Sequence, residues 1–240
     1  NKGLVDIAKK YGTPAVFQVY NEPGTTGIEV PLRTYMDNIG PIAKRIYDAS
    51  RAANYPAYIG IQLQDPSHIA EAMQKIKDAN GGNTDIFEYM VFIPHLYANG
   101  NSPETMLLGQ SIFGFQPFAD AFVESIGFIP PFIAGEGGWK IGNSDEKDKV
   151  IDAQTATNYY LALMNAFRTG KLPNGDPLPD YLIGINLWVS RGDDQAWFTG
   201  NHANVLVPVM NSLKNPQLNP QIPRKFYWQM LGLFFREFSH

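Results

Sequence analysis

The chain is 240 residues long, 44% hydrophobic, carries a formal charge of -4 and contains no cysteine. A chain of this length can bury one large core, and α/β barrels of about 250 residues form single domains. The acidic balance leaves no basic footprint for nucleic acid or an anionic membrane surface, so a neutral partner is expected. The missing cysteines remove a disulfide framework, a thiolate nucleophile and cysteine-ligated zinc, without deciding the compartment. No apolar run reaches the roughly 18 residues of a membrane-spanning helix. Aromatic residues make up 13% of the chain, a content that suits stacking on sugar rings and equally suits core packing.

Taken in chain order, Leu4, Val5, Ile7, Ala8 and Tyr11 follow helical spacing and Gly12 stands where a C-terminal cap belongs. Residues 15–20, rich in Val, Phe and Tyr, read as a strand. Thr34 with Asp37 three residues later resembles a capping box, and Tyr35, Met36, Ile39, Ile42, Ala43 and Ile46 form the apolar stripe of a helix running to Ala53. The alternation continues with a strand at 57–63, a helix at 67–79 ended by Gly81-Gly82, a strand at 88–96 and helical segments over 103–126. A strand at 131–135, a long helix at 148–169 stopped by Gly170, a proline-rich loop and a strand at 182–188 complete the pattern before final helices.

Apolar strands alternating with amphipathic helices predict an α/β fold with a parallel sheet covered by helices. The polar residues choose between the two common forms. Glu22, His95, Tyr97, Glu136 and Trp188 fall at or just past the C-terminal ends of predicted strands, where (β/α)8 TIM barrels build their active sites. No glycine-rich phosphate fingerprint follows a strand, as a dinucleotide-binding fold would require. The barrel is therefore the expected fold, although only five strands are counted. No linker, repeat or charge run divides residues 1–240, which read as one domain.

Two of these strands end in a glutamate. Asn21-Glu22-Pro23 closes 15–20, and Gly135-Glu136-Gly137-Gly138-Trp139 closes 131–135. Retaining glycoside hydrolysis needs one carboxylic acid to protonate the departing oxygen and one carboxylate to attack the anomeric carbon, about 5 to 5.5 Å apart. Neighbouring strand ends of a barrel supply such a separation, with Glu22 as acid/base and Glu136 as nucleophile. Trp139, directly beyond the nucleophile, is a candidate for sugar contact as well as for core packing.

With these motifs the chain resembles the clan of TIM-barrel glycoside hydrolases whose catalytic glutamates lie on the fourth and seventh strands, cellulase family 5 being the nearest pattern. Asn21-Glu22-Pro23 matches the fourth-strand motif, His95-Leu96-Tyr97 the His-x-Tyr of the sixth, Glu136 the nucleophile of the seventh and Trp188 the tryptophan of the eighth. The resemblance implies that Asn21 binds the sugar 2-hydroxyl, Tyr97 hydrogen-bonds the nucleophile, His95 lines the cleft and Trp188 stacks under the sugar. Counting strands without the family's labels agrees: if Glu22 ends strand four, Glu136 ends strand seven. Glu136-Gly137-Gly138-Trp139 is also similar to the Glu-Thr-Gly-Trp of family 17 1,3-glucanases, which leaves the linkage open. The family's early-strand arginine and histidine have no counterpart, so the chain reads as the C-terminal part of a barrel, strands four to eight.

The implied function is double-displacement hydrolysis of a β-linked polysaccharide or oligosaccharide, a β-glucan first, without cofactor or metal. Its expected partners are the carbohydrate and an N-terminal barrel segment carrying strands one to three, and its expected location is secreted or extracellular. The alternative is a non-catalytic carbohydrate-binding or structural protein made from a partial barrel. Asp193, Asp194, Trp197 and Phe198 are candidates for a binding rim or an ordinary loop; Asp65 either enters the cleft or caps the next helix. His68, His202 and His240 have no carboxylate or histidine at ligand spacing.

Overall fold

A computed structural model describes residues 2–24, 30–98, 100–109, 114–141 and 150–186. In chain order its helices and strands are α1 (Lys2–Tyr11), β1 (Ala15–Gln18), α2 (Leu32–Ala53), β2 (Ala57–Ile61), α3 (Ile69–Ala79), β3 (Met90–Phe92), β4 (His95–Tyr97) and α4 (Pro103–Leu107). They continue with α5 (Gln116–Ile126), β5 (Phe132–Ala134), β6 (Glu136–Gly138), β7 (Lys140–Ile141), β8 (Val150–Ile151), α6 (Ala153–Thr169) and β9 (Leu182–Ile185). The chain is thus α/β, and its described strand pairs are parallel. None of the described helices is long and apolar enough to cross a membrane.

Two compact units are present, one of residues 1–94 with 117–133, the other of 95–116 with the described part of 134–240. In the first, β1, β2, β3 and β5 lie side by side in that order. Ala15 stands opposite Ala57, Ile59 opposite Met90 and Phe92 opposite Phe132. Buried parallel strands are lined with apolar residues; in β2, Ala57, Ile59 and Ile61 bury one face, and Tyr58 and Gly60 alternate to the other. Helix α2 buries Tyr35, Met36, Ile39, Ala43 and Ile46, and α3 buries Ile69, Ala72, Met73 and Ile76, the three- and four-residue steps of one helix face. Phe92 anchors an aromatic group with Phe118, Phe122 and Phe132, ring centroids 4.9, 5.3 and 4.9 Å away.

In the second unit β4 pairs with β6 and β7 with β8. Also within this unit, the N–H of Asn186, the residue after β9, donates to the Ala134 carbonyl at 2.8 Å. Helix α6 is capped by Asp152, whose side chain accepts the Thr155 N–H, and ends at left-handed Gly170.

Several boundaries differ from the sequence expectation. The apolar run 88–96 is a 3-10 turn (Asp85–Tyr89), then β3, then β4, because Pro94 has no N–H to donate to a ladder. The strand expected at 131–135 is the shorter β5, and after Gly135 a second strand not expected from the sequence, β6, begins at Glu136. Thr34 and Asp37 do not form a capping box: α2 starts at Leu32 behind Pro31, and Asp37 pairs with Arg33 at 3.2 Å and Lys75 at 3.7 Å. Helix α6 starts at Ala153, since Val150 and Ile151 are strand, and 103–126 holds two helices, α4 and α5.

Helices α2 and α3 come together at Gly40, where a Cβ would lie 2.5 Å from the Lys75 carbonyl oxygen and 3.2 Å from the Ala79 Cβ. Alanine would add about 1 kcal/mol of helix propensity but overpack the contact by about 1–3 kcal/mol. Gly40→Ala is therefore expected to lower the urea midpoint, and an unchanged or raised midpoint would contradict this packing.

Asp85 accepts the Tyr47 hydroxyl at 2.6 Å and the Asn80 amide at 2.8 Å. These donors, Tyr47 first, hold its carboxyl below the ordinary value of 3.8. A carboxyl depressed on folding stabilises above its unfolded value and loses that contribution as pH falls through the folded one. Asp85→Asn should flatten the acid limb of the stability curve below pH 3.8; wild-type and variant limbs that run parallel in acid titrations of unfolding would refute the link.

Candidate active site

The Asn21-Glu22-Pro23 segment leaves β1 through a turn that few side chains tolerate. Pairing continues one residue past the strand, with the Val19 N–H donating to Gly60 O at 2.8 Å. Tyr20 and Glu22 then adopt left-handed backbone conformations, φ 60° and 41°, a region costly for large side chains. Two glutamines hold the turn. Gln62 Oε1 accepts the Glu22 N–H at 2.8 Å and Gln18 Nε2 at 2.9 Å, while Gln18 Nε2 also reaches Tyr20 O and Asn21 Oδ1, each at 3.1 Å. The Tyr20 ring meets Tyr35 edge-on, with centroids 6.2 Å apart.

In the second unit, parallel register places His95 opposite Glu136 and Tyr97 opposite Gly138. Strand alternation puts His95 and Tyr97 on one face and turns buried Leu96 to the other. Both polar side chains consequently reach the same carboxylate. The Tyr97 hydroxyl donates to Glu136 Oε2, and His95 Nδ1 stands 3.5 Å from that oxygen, an ion pair when the imidazole is protonated. The Glu136 side chain is 13% exposed and that of His95 4%. A carboxylate fixed by two side chains and still open to solvent can act as a base or nucleophile.

Trp139, expected as a candidate sugar contact, is a core residue. It is 1% exposed, its indole N–H donates to Asn101 O at 2.7 Å, and its ring packs against Tyr159 and Tyr160. The Tyr160 hydroxyl, its titration pushed up by burial, accepts the Trp139 backbone N–H at 3.3 Å. Trp139 therefore ties β6 to α6 and to the loop after β4. Asp65 accepts the Ser67 N–H at 2.8 Å and so caps the 3-10 turn (Pro66–His68) leading into α3. Trp188, Asp193, Asp194, Trp197, Phe198, His202 and His240 lie outside the described residues.

Gln62 and Gln18 were not singled out from sequence. The available signal was Gln62 itself, a buried polar residue directly after the apolar strand β2.

The glycines after Glu136 are required by close approach. A Cβ on Gly137 would lie 2.8 Å from Leu96 O and 2.7 Å from Ile185 Cδ1; one on Gly138, whose φ is +126°, would lie 2.6 Å from Tyr160 Oη. Gly138→Ala should destabilise by about 2 kcal/mol or more, combining backbone strain with overpacking. Joined to Tyr160→Phe, which removes the atom the methyl would meet, its loss should be smaller than the sum of the two single losses. Additive losses in thermal unfolding would show that the contact is not tight.

No protein-family model matches the chain, and no curated protein matches it. Among solved structures, the catalytic domain of a mannanase from Streptomyces sp. SirexAA-E aligns with a TM-score of 0.39 and 15% identity, covering 82% of this chain. The match spans 62% of that domain, less than two thirds of its length.

Proposed function

We propose that the chain carries the catalytic residues of a retaining glycoside hydrolase acting on a β-linked polysaccharide or oligosaccharide, a β-glucan first. The observation carrying this reading is Glu136, the first residue of β6, held on one oxygen by Tyr97 and faced by His95. Both contacts fall on Oε2, which leaves attack on the anomeric carbon to Oε1. Glu22 is the acid/base: it protonates the departing glycosidic oxygen, then takes a proton from the water that hydrolyses the glycosyl-enzyme. Asn21 binds the sugar 2-hydroxyl and Trp188 stacks beneath the ring. The mechanism requires the two carboxyls to be about 5–5.5 Å apart.

In this reading the fold is a (β/α)8 barrel and the described strands belong to its fourth to eighth positions. An N-terminal segment of three βα units completes it, adding a strand beside β1 and covering Leu4, Ile7 and Tyr11, which are 55%, 54% and 71% exposed on α1. Closure excludes water and strengthens the electrostatics of the cleft.

Assays on aryl β-glycosides and soluble β-glucans, with and without such a segment, test the proposal. Hydrolysis is expected from the joined form, with retention of anomeric configuration, and little from these residues alone. Glu22→Gln and Glu136→Gln should each lower turnover of unactivated substrates by at least about a hundredfold. Inversion of configuration, or wild-type rates in Glu136→Gln, would overturn the mechanism. Polysaccharide binding without turnover in either form would favour a carbohydrate-binding protein.

A further inference from the structure

We propose that Gln62 is a positioning residue for Glu22, an inference that rests on reading Glu22 as the acid/base. Its side-chain oxygen accepts the Glu22 backbone N–H. It acts through the backbone of that residue.

Tyr20 and Glu22, on either side of Asn21, hold φ of 60° and 41°. Large side chains in this region are strained and persist only where the surroundings impose them. The imposed contact here is Gln62 Oε1, 2.8 Å from the Glu22 backbone nitrogen. Because that bond is made to the left-handed residue's own N–H, it selects the orientation of its peptide plane and with it the direction of the Cα–Cβ bond. Relaxation of Glu22 to negative φ would swing its carboxyl away from its present line.

The orientation of the Gln62 amide follows from the same bond. Turning it over would set its NH2 group against the Glu22 N–H, donor against donor, and against Gln18 Nε2 as well. As placed, Nε2 is buried without a protein partner among the described residues. A buried orphan donor is destabilising, and a methionine of similar length would avoid that cost. The side chain is 1% exposed, so solvation does not account for an amide here either. The acceptor is the part of Gln62 that the site uses.

The anchor behind the acceptor is rigid. Gln62 directly follows β2, whose Ile61 carbonyl accepts the Ile93 N–H at 2.7 Å, and the next residue, Leu63, is buried. Gln18 adds a second hold, joining the Gln62 oxygen to Tyr20 O and Asn21 Oδ1. The sheet thereby fixes the turn from two adjacent strands.

Gln62→Met, Gln62→Glu and Gln18→Ala in the full chain, joined to the N-terminal segment where turnover requires it, make the test. By NMR, exchange of the Glu22 amide proton is expected to rise about tenfold in Gln62→Met, to stay protected in Gln62→Glu, which keeps an acceptor, and to rise about threefold in Gln18→Ala. Amides of β2 and β3 should not change. On glycosides with poor leaving groups, which need a proton from the acid, Gln62→Met should lower kcat by about tenfold to a hundredfold at unchanged KM. On 2,4-dinitrophenyl glycosides, whose departure needs no proton, the loss should be below about threefold. An equal loss on both substrates would reduce Gln62 to a structural role. An unchanged Glu22 exchange rate in Gln62→Met would overturn the clamp. If Gln62→Met fails to fold, Gln18→Ala, at an exposed position, decides by the same two readouts. Absence of wild-type turnover sinks the glycosidase reading alone, while the exchange measurements still decide whether Gln62 holds the turn.

Discussion

Parallel pairing is the constraint from which the polar clusters of this chain follow. Strands laid parallel end on the same side, and the residues just beyond them leave the ladder with backbone groups that the next strand cannot satisfy. Each unit resolves this with side chains. Past β1 the Glu22 N–H finds Gln62, the residue after the neighbouring strand. Past β5 the chain resumes as β6 and pairs with β4, bringing Glu136 level with His95. In both places a glutamate is held at a strand end by a residue from an adjacent strand.

The two glutamates are held by different means. Glu22 is constrained through its backbone, in a left-handed conformation that depends on a neighbouring amide. Glu136 is constrained through its side chain, by contacts to one carboxylate oxygen. A proton-transferring group has to be aimed along one line, whereas an attacking carboxylate has to keep one oxygen turned to the substrate. The proposed roles of the two residues fit these two kinds of restraint.

Packing around the second cluster explains its glycines and its tryptophan together. Gly137 and Gly138 let β6 lie against Leu96, Ile185 and Tyr160 at distances no Cβ permits. Trp139 then turns into the core, where its ring meets Tyr159 and Tyr160 and its N–H meets Asn101. A strand so closely packed leaves Glu136 little freedom at its N-terminal end.

The α/β class, the helix faces of α2 and α3, the strand-end positions of Glu22 and Glu136 and the cap at Asp65 were legible in the sequence. All of them depend on periodicity or on residues within a few positions of one another, which local sterics and burial decide. The meeting of Tyr97 with Glu136 was expected from a family resemblance; alternation alone could only place His95 and Tyr97 on one face. Tertiary structure decided what depends on distant segments. It broke the apolar run at Pro94 and began a second strand after Gly135, because the pieces pair with different strands. It drew Asp37 to Arg33 and Lys75 in place of a cap. It buried Trp139, whose composition suits a sugar or a core equally, and it made Gln62 the acceptor for a turn 40 residues earlier. Side-chain chemistry limits what a residue can do; which partner it meets is settled by strand register and helix packing, which no local window contains.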